Sequence, residues 1–411
     1  MNFLFMIIGT PRTIYNRHCS GLITMSPLEG IVVIEVGHQV AAPSCSLLLA
    51  DLGAEVWKIE KPGQGDQSRY WNPKNPGGAF YALNRNKKSV SLDIKHGRDV
   101  LLSMVRKADV FVENFTPGTM RRYGLEYEDI SKINPRIVYC SISGYGATGP
   151  YSNRPGWDPV IQALSGYMSL IGYDGGPYVR APSSVFDQAT GMFGALGILG
   201  ALMMRERTGV GSKVEANLLA SLVSIMGNLI ADFSVAGTAA KREGDGMRFR
   251  APYGVFRTRT KPIYIAVAND PDWEKFCHAL GLQKLLSDER FSTASERIRN
   301  KAILTSVLEE NFAEAESDEI LDKLLKIEIP CSPVNTIPEA LMDPHIAEHM
   351  IEELPISSNE TVKISAIPFK LSGSRPPILS PPKIGEHTDL ILEKCGYGKS
   401  EISNLRSQGI L

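Results

Sequence analysis

The chain has 411 residues, with 44 Lys+Arg against 45 Asp+Glu and a formal net charge of −1, which excludes bulk electrostatics as a basis for binding nucleic acid or an anionic membrane. A composition 43% hydrophobic and 22% charged excludes an intrinsically disordered chain. Six cysteines, none in a C-x-x-C pair or at zinc-like spacing with the seven histidines, exclude a disulfide scaffold and a structural metal site and fit a reducing, cytoplasmic compartment.

Residues 1–24 open on the apolar run Phe3–Ile8 and then carry Arg12, Arg17 and Ser20, with no acidic residue before Glu29. The charge follows the apolar run, the reverse of a secretory signal. This stretch is expected to lie outside the fold, as an upstream start ahead of Met25 or as a presequence for an organellar matrix.

Gly30–Val36 reads as a buried strand, Pro43–Leu52 as a helix closed by Gly53, and Ala54–Glu60 as a second strand. Strand, helix and strand in about 30 residues form a βαβ unit, the seed of a parallel doubly wound sheet. The rhythm continues with a strand over 89–94, a helix over 97–107, a strand over 108–113, a short helix near Asp129 and a strand over 136–141. Two long helical segments run from about 188 to 236. A loop containing Gly244, Gly246, Arg248 and Arg250 leads to a hairpin of 253–258 and 263–268. Helices follow near 272–280, 297–314 and 318–326, and Pro-rich turns (Pro376, Pro377, Pro381, Pro382) precede a last helical pair.

The fold class is therefore α/β, with a Rossmann-like large domain and a smaller α+β domain. The expected division is 25–215 for the first part of the large domain, 216–245 for a helical linker, 246–335 for the small domain, and 336–411 for a linker and the part that completes the large domain. Apolar stretches at 189–204 and 217–236 are too short or too interrupted by glycine, asparagine and aspartate for membrane spans, so they read as core helices.

Glu60 stands where a dinucleotide-binding protein places its ribose acid, but the turn Gly37-His38-Gln39-Val40-Ala41-Ala42-Pro43 has no G-x-G-x-x-G, so nicotinamide binding has the scaffold without the fingerprint. The chemistry points instead to Asp187, a lone carboxylate in Ser184-Val185-Phe186-Asp187-Gln188-Ala189-Thr190-Gly191. On residue type it reads either as a helix cap or as a partly desolvated nucleophile. Glycine then recurs at 191, 194, 197 and 200, a stripe that invites close approach of another segment or chain. A second cluster, Glu113-Asn114-Phe115-Thr116-Pro117-Gly118 with Arg121 and Arg122, follows a strand where an α/β ligand should lie. A third is the basic turn Asn84-Arg85-Asn86-Lys87-Lys88-Ser89.

Together these segments resemble the family III CoA-transferases, the group of formyl-CoA, carnitine and succinyl-CoA:dicarboxylate CoA-transferases. The resemblance is carried by 49–60, 84–89, 108–115, Ser143–Gly146 with Thr148–Pro150, 186–191, 251–256, 329–334 and Gly385–Thr388, and it spans residue 28 to the end. It implies that Asp187 is the nucleophile of a ping-pong transfer through an aspartyl anhydride and an aspartyl-CoA thioester. It implies CoA contacts at His38, Gln39, Val40, Ala41, Lys61, Asn86, Lys88, Asn114, Phe115, Thr119 and Arg122. CoA thioesters would be substrates, with no permanently bound cofactor and no metal. It also implies an interlocked homodimer, with no nucleic-acid or membrane partner. Val40 replaces the active-site glutamine of the formyl-CoA enzyme, and that enzyme's glycine-rich small-domain loop has no counterpart, which sets formate and oxalate in doubt.

Arg180, seven residues before Asp187, could meet the distal carboxylate of a dicarboxylic acid such as succinate, or form an ordinary surface or interface salt bridge. The α-methylacyl-CoA racemases share this fold and shift a proton with a histidine from a Gly-His-Asp segment. Here the matching stretch is Gly156-Trp157-Asp158, and indole cannot take a proton, so transfer is preferred. A non-catalytic acyl-CoA-binding protein is the remaining alternative, weighed down by the intact Asp187 motif.

Overall fold

The computed structural model describes residues 26–74, 77–372 and 378–411, so the N-terminal extension and the turns at Pro376 and Pro377 lie outside the described residues. Six strands build the main sheet: β1 (Val32–Glu35), β2 (Glu55–Glu60), β3 (Lys87–Ser91), β4 (Val110–Glu113), β5 (Val138–Ser143) and β6 (Lys213–Asn217). All neighbours pair in parallel, in the order β3-β2-β1-β4-β5-β6. Its helices are α1 (Ala41–Asp51), α2 (Gly78–Leu83), α3 (Arg98–Val105), α4 (Thr119–Tyr123), α5 (Tyr127–Ile133), α6 (Asp158–Leu164), α7 (Val185–Thr208), α8 (Leu218–Ile225) and α9 (Gly227–Ala236).

The central strands are apolar on both faces, as a sheet covered on both sides requires. Val33, Val110, Val112 and Val138 face α1 and α7, while Ile34, Phe111 and Tyr139 face the opposite core. A second sheet pairs β7 (Tyr253–Phe256) and β8 (Ile263–Ala266) antiparallel and adds β9 (Cys331–Pro333). With α10 (Asp270–Leu280), α11 (Ala294–Arg299), α12 (Lys301–Phe312) and α13 (Ser317–Leu325) it encloses a core of its own around Phe276, Phe291 and Leu308. After α14 (Ile337–Ala340) and α15 (Pro344–His349), the hairpin β10 (Ile351–Pro355) and β11 (Thr361–Ser365) leads back, and α16 (Thr388–Lys394) and α17 (Lys399–Ser407) place Ile391, Leu392 and Ile402 in the core behind the main sheet.

Three sequence expectations change. Strand β6 interrupts the stretch expected to be helical from 188 to 236. It is an edge strand, with Lys213 exposed and Val214 and Ala216 packed inward. The single helix expected at 297–314 is two, separated at Asn300. The glycines of α7 do not form one stripe, because a three-residue step falls short of a helical turn and precesses around the axis. A Cβ on Gly191 would lie 2.8 Å from the Ala41 carbonyl and one on Gly197 2.6 Å from Val214, while Gly200 is open. The segment that approaches is α1 of the same chain, together with β6. By length and composition α7 could cross a membrane. In the fold one side of it packs on α1, β5 and β6, and the other presents Met192, Phe193, Leu196 and Met203 outward.

Candidate active site

Chain order reverses on the two sides of β1, so the crevice of this sheet lies outside the carboxyl ends of β1 and β4. A cleft opens there. The loop after β1 supplies His38, Gln39, Val40 and Ala41, and the loop after β4 supplies Asn114 to Pro117. Gly144 follows β5, Arg154 to Trp157 close the far side, and Asp187 completes the wall.

The loop after β1 is held from below. Asn114 accepts from the His38 N–H at 3.0 Å and donates to the His38 carbonyl at 2.9 Å. Gln39 takes a left-handed φ of 65° and donates its N–H to Asp66 at 3.1 Å. Lys58 reaches the Gly37 carbonyl at 3.2 Å. Gly37 admits no side chain, because a Cβ there would lie 2.2 Å from that of Ala42.

Beneath the loop the Glu35 carboxylate sits between Lys58 at 2.6 Å and Lys87 at 2.8 Å, with the side chains of all three fully buried. Burial works against the charge on Lys58, but Glu35 and Asp66 outweigh it and hold its pKa above the usual range. Burial pulls Lys87 down to about 8, with Glu35 opposing. Charges desolvated this far are costly unless fully paired. Here they are paired, and the result is a fixed cleft floor.

Two successive non-glycine residues, Ser183 (φ 65°) and Ser184 (φ 49°), adopt the left-handed conformation before α7. Such backbone persists only where its surroundings enforce it. The turn delivers Asp187 as the third residue of α7. Asp187 is not the cap of that helix. Asp158 is: its Oδ2 accepts from the N–H of Phe186 at 2.8 Å and of Asp187 at 3.3 Å. Gln162 donates to Asp158 and accepts from the Ala181 N–H at 2.9 Å, tying the approach to α7 into the same network. Burial, and then the negative charge of Asp158, push the Asp187 pKa up to about 7, with a hydrogen bond from Ser184 opposing. The N–H groups of Val40 and Ala41, at the start of α1, have no acceptor among the described residues. They line the same cleft wall as Asp187, and free N–H groups at a helix start favour negative charge near them.

Of the expected contact residues, His38, Gln39, Val40, Ala41, Asn114 and Phe115 share the cleft wall with Asp187. Lys61, directly after β2, and Thr119 and Arg122, in α4 after β4, lie on the same edge of the sheet but off that wall, and Arg122 donates to Thr119 at 3.0 Å. Asn86 and Lys88 lie at the amino end of β3. Asn86 is occupied by Asp51 at 3.0 Å and by Leu379, and Lys88 pairs with Glu55 at 3.0 Å. Arg180 is exposed, off the wall, and donates to the Ala181 carbonyl at 3.2 Å.

Sequence reasoning missed Asp158 and Arg154. Asp158 begins α6 with Pro159 at the next position, so its local pattern is that of an ordinary helix start. One argument also weakens. The preference against racemisation rested on Trp157, yet His38 brings an imidazole to the cleft wall beside Asp187, 5.3 Å from the Phe115 ring. Burial holds its pKa below the usual range, so it is neutral at pH 7.

A doubly wound sheet whose switch-point cleft holds a carboxylate of raised pKa defines an α/β protein with a candidate active site. The model of CoA-transferase family III matches residues 28–388, and the chain belongs to that family and is a CoA-transferase. It is 35% identical to the succinyl-CoA:glutarate CoA-transferase of Mus musculus, covering 94% of this chain and 91% of that one. It is also 35% identical to the acetyl-CoA:oxalate CoA-transferase of Acetobacter aceti, covering 88% and 93%. A crystal structure of a CAIB/BAIF family protein from Brucella suis superposes with a TM-score of 0.84 at 34% identity, covering 90% of this chain and 99% of that one.

Proposed function

We propose that the enzyme moves CoA from succinyl-CoA or a similar acyl-CoA to a small carboxylic acid, with Asp187 as the covalent carrier. The observation that carries this reading is the partly buried Asp187 carboxylate in the cleft, on a helix start whose backbone N–H groups donate to Asp158. A carboxylate oxygen of Asp187 attacks the thioester carbonyl, the C–S bond breaks, and CoA thiolate leaves a mixed anhydride. The thiolate attacks the Asp187 carbonyl of that anhydride, which expels the donor acid as its carboxylate and leaves an aspartyl-CoA thioester. The acceptor carboxylate then attacks this thioester, and the released thiolate attacks the acceptor's carbonyl, forming the new acyl-CoA and freeing Asp187. No net proton is consumed. The α1 N–H groups of Val40 and Ala41, on the same cleft wall as Asp187, are the donors this reading assigns to each tetrahedral oxyanion.

The relatives named for succinyl-CoA with glutarate support succinyl-CoA as donor and a dicarboxylic acid as acceptor. A homodimer belongs to the same proposal. It is supported by the large apolar residues that α7 presents outward, together with exposed Ile225 and Phe233 on α8 and α9. Light scattering should give twice the chain mass, and a monomer would contradict it.

One assay in D2O tests transfer against proton shift. The protein is mixed with succinyl-CoA, acetyl-CoA and a branched 2-methylacyl-CoA, plus a pool of small acids, and the thioesters are resolved by mass spectrometry. New thioesters built on the added acids are expected, with no deuterium at the branched α-carbon. Deuterium there without new thioesters would make His38 and Asp187 an acid–base pair and overturn the transfer reading.

A further inference from the structure

The cleft wall carries one guanidinium, that of Arg154, and no other Arg or Lys among its described residues. It lies 3.9 Å above the Tyr151 ring, and Tyr151 meets Tyr145 edge-on with centroids 5.7 Å apart. Behind this stack the chain segments cross in near contact: a Cβ on Gly156 would lie 2.6 Å from the Gly144 Cα. Arg154 is exposed at the rim of the cleft, steered by the Tyr151 ring rather than by an ion pair. None joins it to Asp187, nor does its charge offset the raised pKa of that residue. Its side chain makes no hydrogen bond to another described residue.

A charged guanidinium without an ion-pair partner among the described residues, on the same cleft wall as a reacting carboxylate, suits a second carboxylate, which it can meet with two parallel hydrogen bonds. We propose that Arg154 is the specificity residue of this enzyme. It receives the distal carboxylate of a dicarboxylic acid whose proximal carboxyl exchanges CoA at Asp187. This replaces the expectation placed on Arg180, and it rests on the transfer reading above. A phosphate of CoA is the competing anion for the same group. It differs in a readable way, because every acceptor would then suffer alike.

The test is steady-state transfer from one acyl-CoA donor to glutarate and to butyrate, in wild type, Arg154→Gln and Arg154→Lys. In a ping-pong reaction kcat/KM for the acceptor reports only the half-reaction in which that acid attacks. Wild type should prefer glutarate. In Arg154→Gln, kcat/KM for glutarate should fall about 10- to 100-fold, the scale of a lost charged pair, while that for butyrate stays within about twofold. Arg154→Lys should restore part of the loss, for glutarate alone. Equal losses for both acids, no loss for either, or a wild type without preference for glutarate would each overturn the assignment. A wild type that makes no new thioester from any acid would overturn the transfer reading, and this inference with it.

Discussion

Asp187→Asn should abolish transfer, with kcat falling at least about 10⁴-fold, because the amide is no nucleophile and no other carboxylate among the described residues lines the cleft wall. The same change should make the folded protein more stable at pH 8. The sign follows from the raised pKa. In the fold Asp187 keeps its proton up to about 7, whereas its ordinary value is 3.8. Between those values the native state binds more protons than the unfolded chain, so stability falls as pH rises and the loss is complete above about 7. Asparagine carries no such penalty. Denaturant unfolding at pH 5 and pH 8 should show the variant gaining on wild type as pH rises. A helix-capping role predicts no such pH-dependent gain, because asparagine caps about as well as aspartate. Near-normal transfer, or a stability difference from wild type that is the same at both pH values, would contradict the assignment.

Asp158→Asn should act through Asp187. The amide oxygen can still accept from the Phe186 N–H, so α7 stays capped, but the neighbouring negative charge is gone. The acid limb of kcat/KM against pH, set by Asp187 near pH 7, should move down by about one unit. The fold should change little. Asp158→Ala removes the cap as well. It should cost about 1–2 kcal/mol of stability, and about 100-fold in kcat through misplacement of the nucleophile. An Asp158→Asn profile with an unmoved limb would show that the two carboxylates do not communicate, and the raised pKa would then be an effect of burial alone.

The parallel sheet was legible because its central strands are buried on both faces, and Val32–Glu35, Val110–Glu113 and Val138–Ser143 read as apolar runs whatever their neighbours. Strand β6 was not, since an edge strand alternates Lys213 and Glu215 with Val214 and Ala216 and adjoins a helical sequence. The short helices α2, α4 and α6 gave no periodic signal over five to seven residues. Asp187 was legible as an isolated carboxylate in an apolar setting. Its partner Asp158 is 29 residues away and resembles any acid at a helix start, so only the tertiary fold reveals that it caps a different helix. Arg154 was hidden for the same reason, and His38 was named only as a contact to CoA, not as an imidazole facing Asp187. Each acquires its place in the cleft from the loops of β1, β4 and β5 closing on one point. Arg180 was singled out by closeness in sequence to Asp187, and the fold places it off the cleft wall.

The central claim is that CoA is carried on Asp187. Wild-type enzyme incubated with an acyl-CoA donor and no acceptor, quenched in acid, digested and analysed by mass spectrometry tests it directly. The peptide containing Asp187 should be heavier by a CoA thioester, with the donor acid released in equal amount, and Asp187→Asn should show neither. A CoA adduct on another residue would contradict the claim, as would transfer to added acid without any adduct on the quenched enzyme.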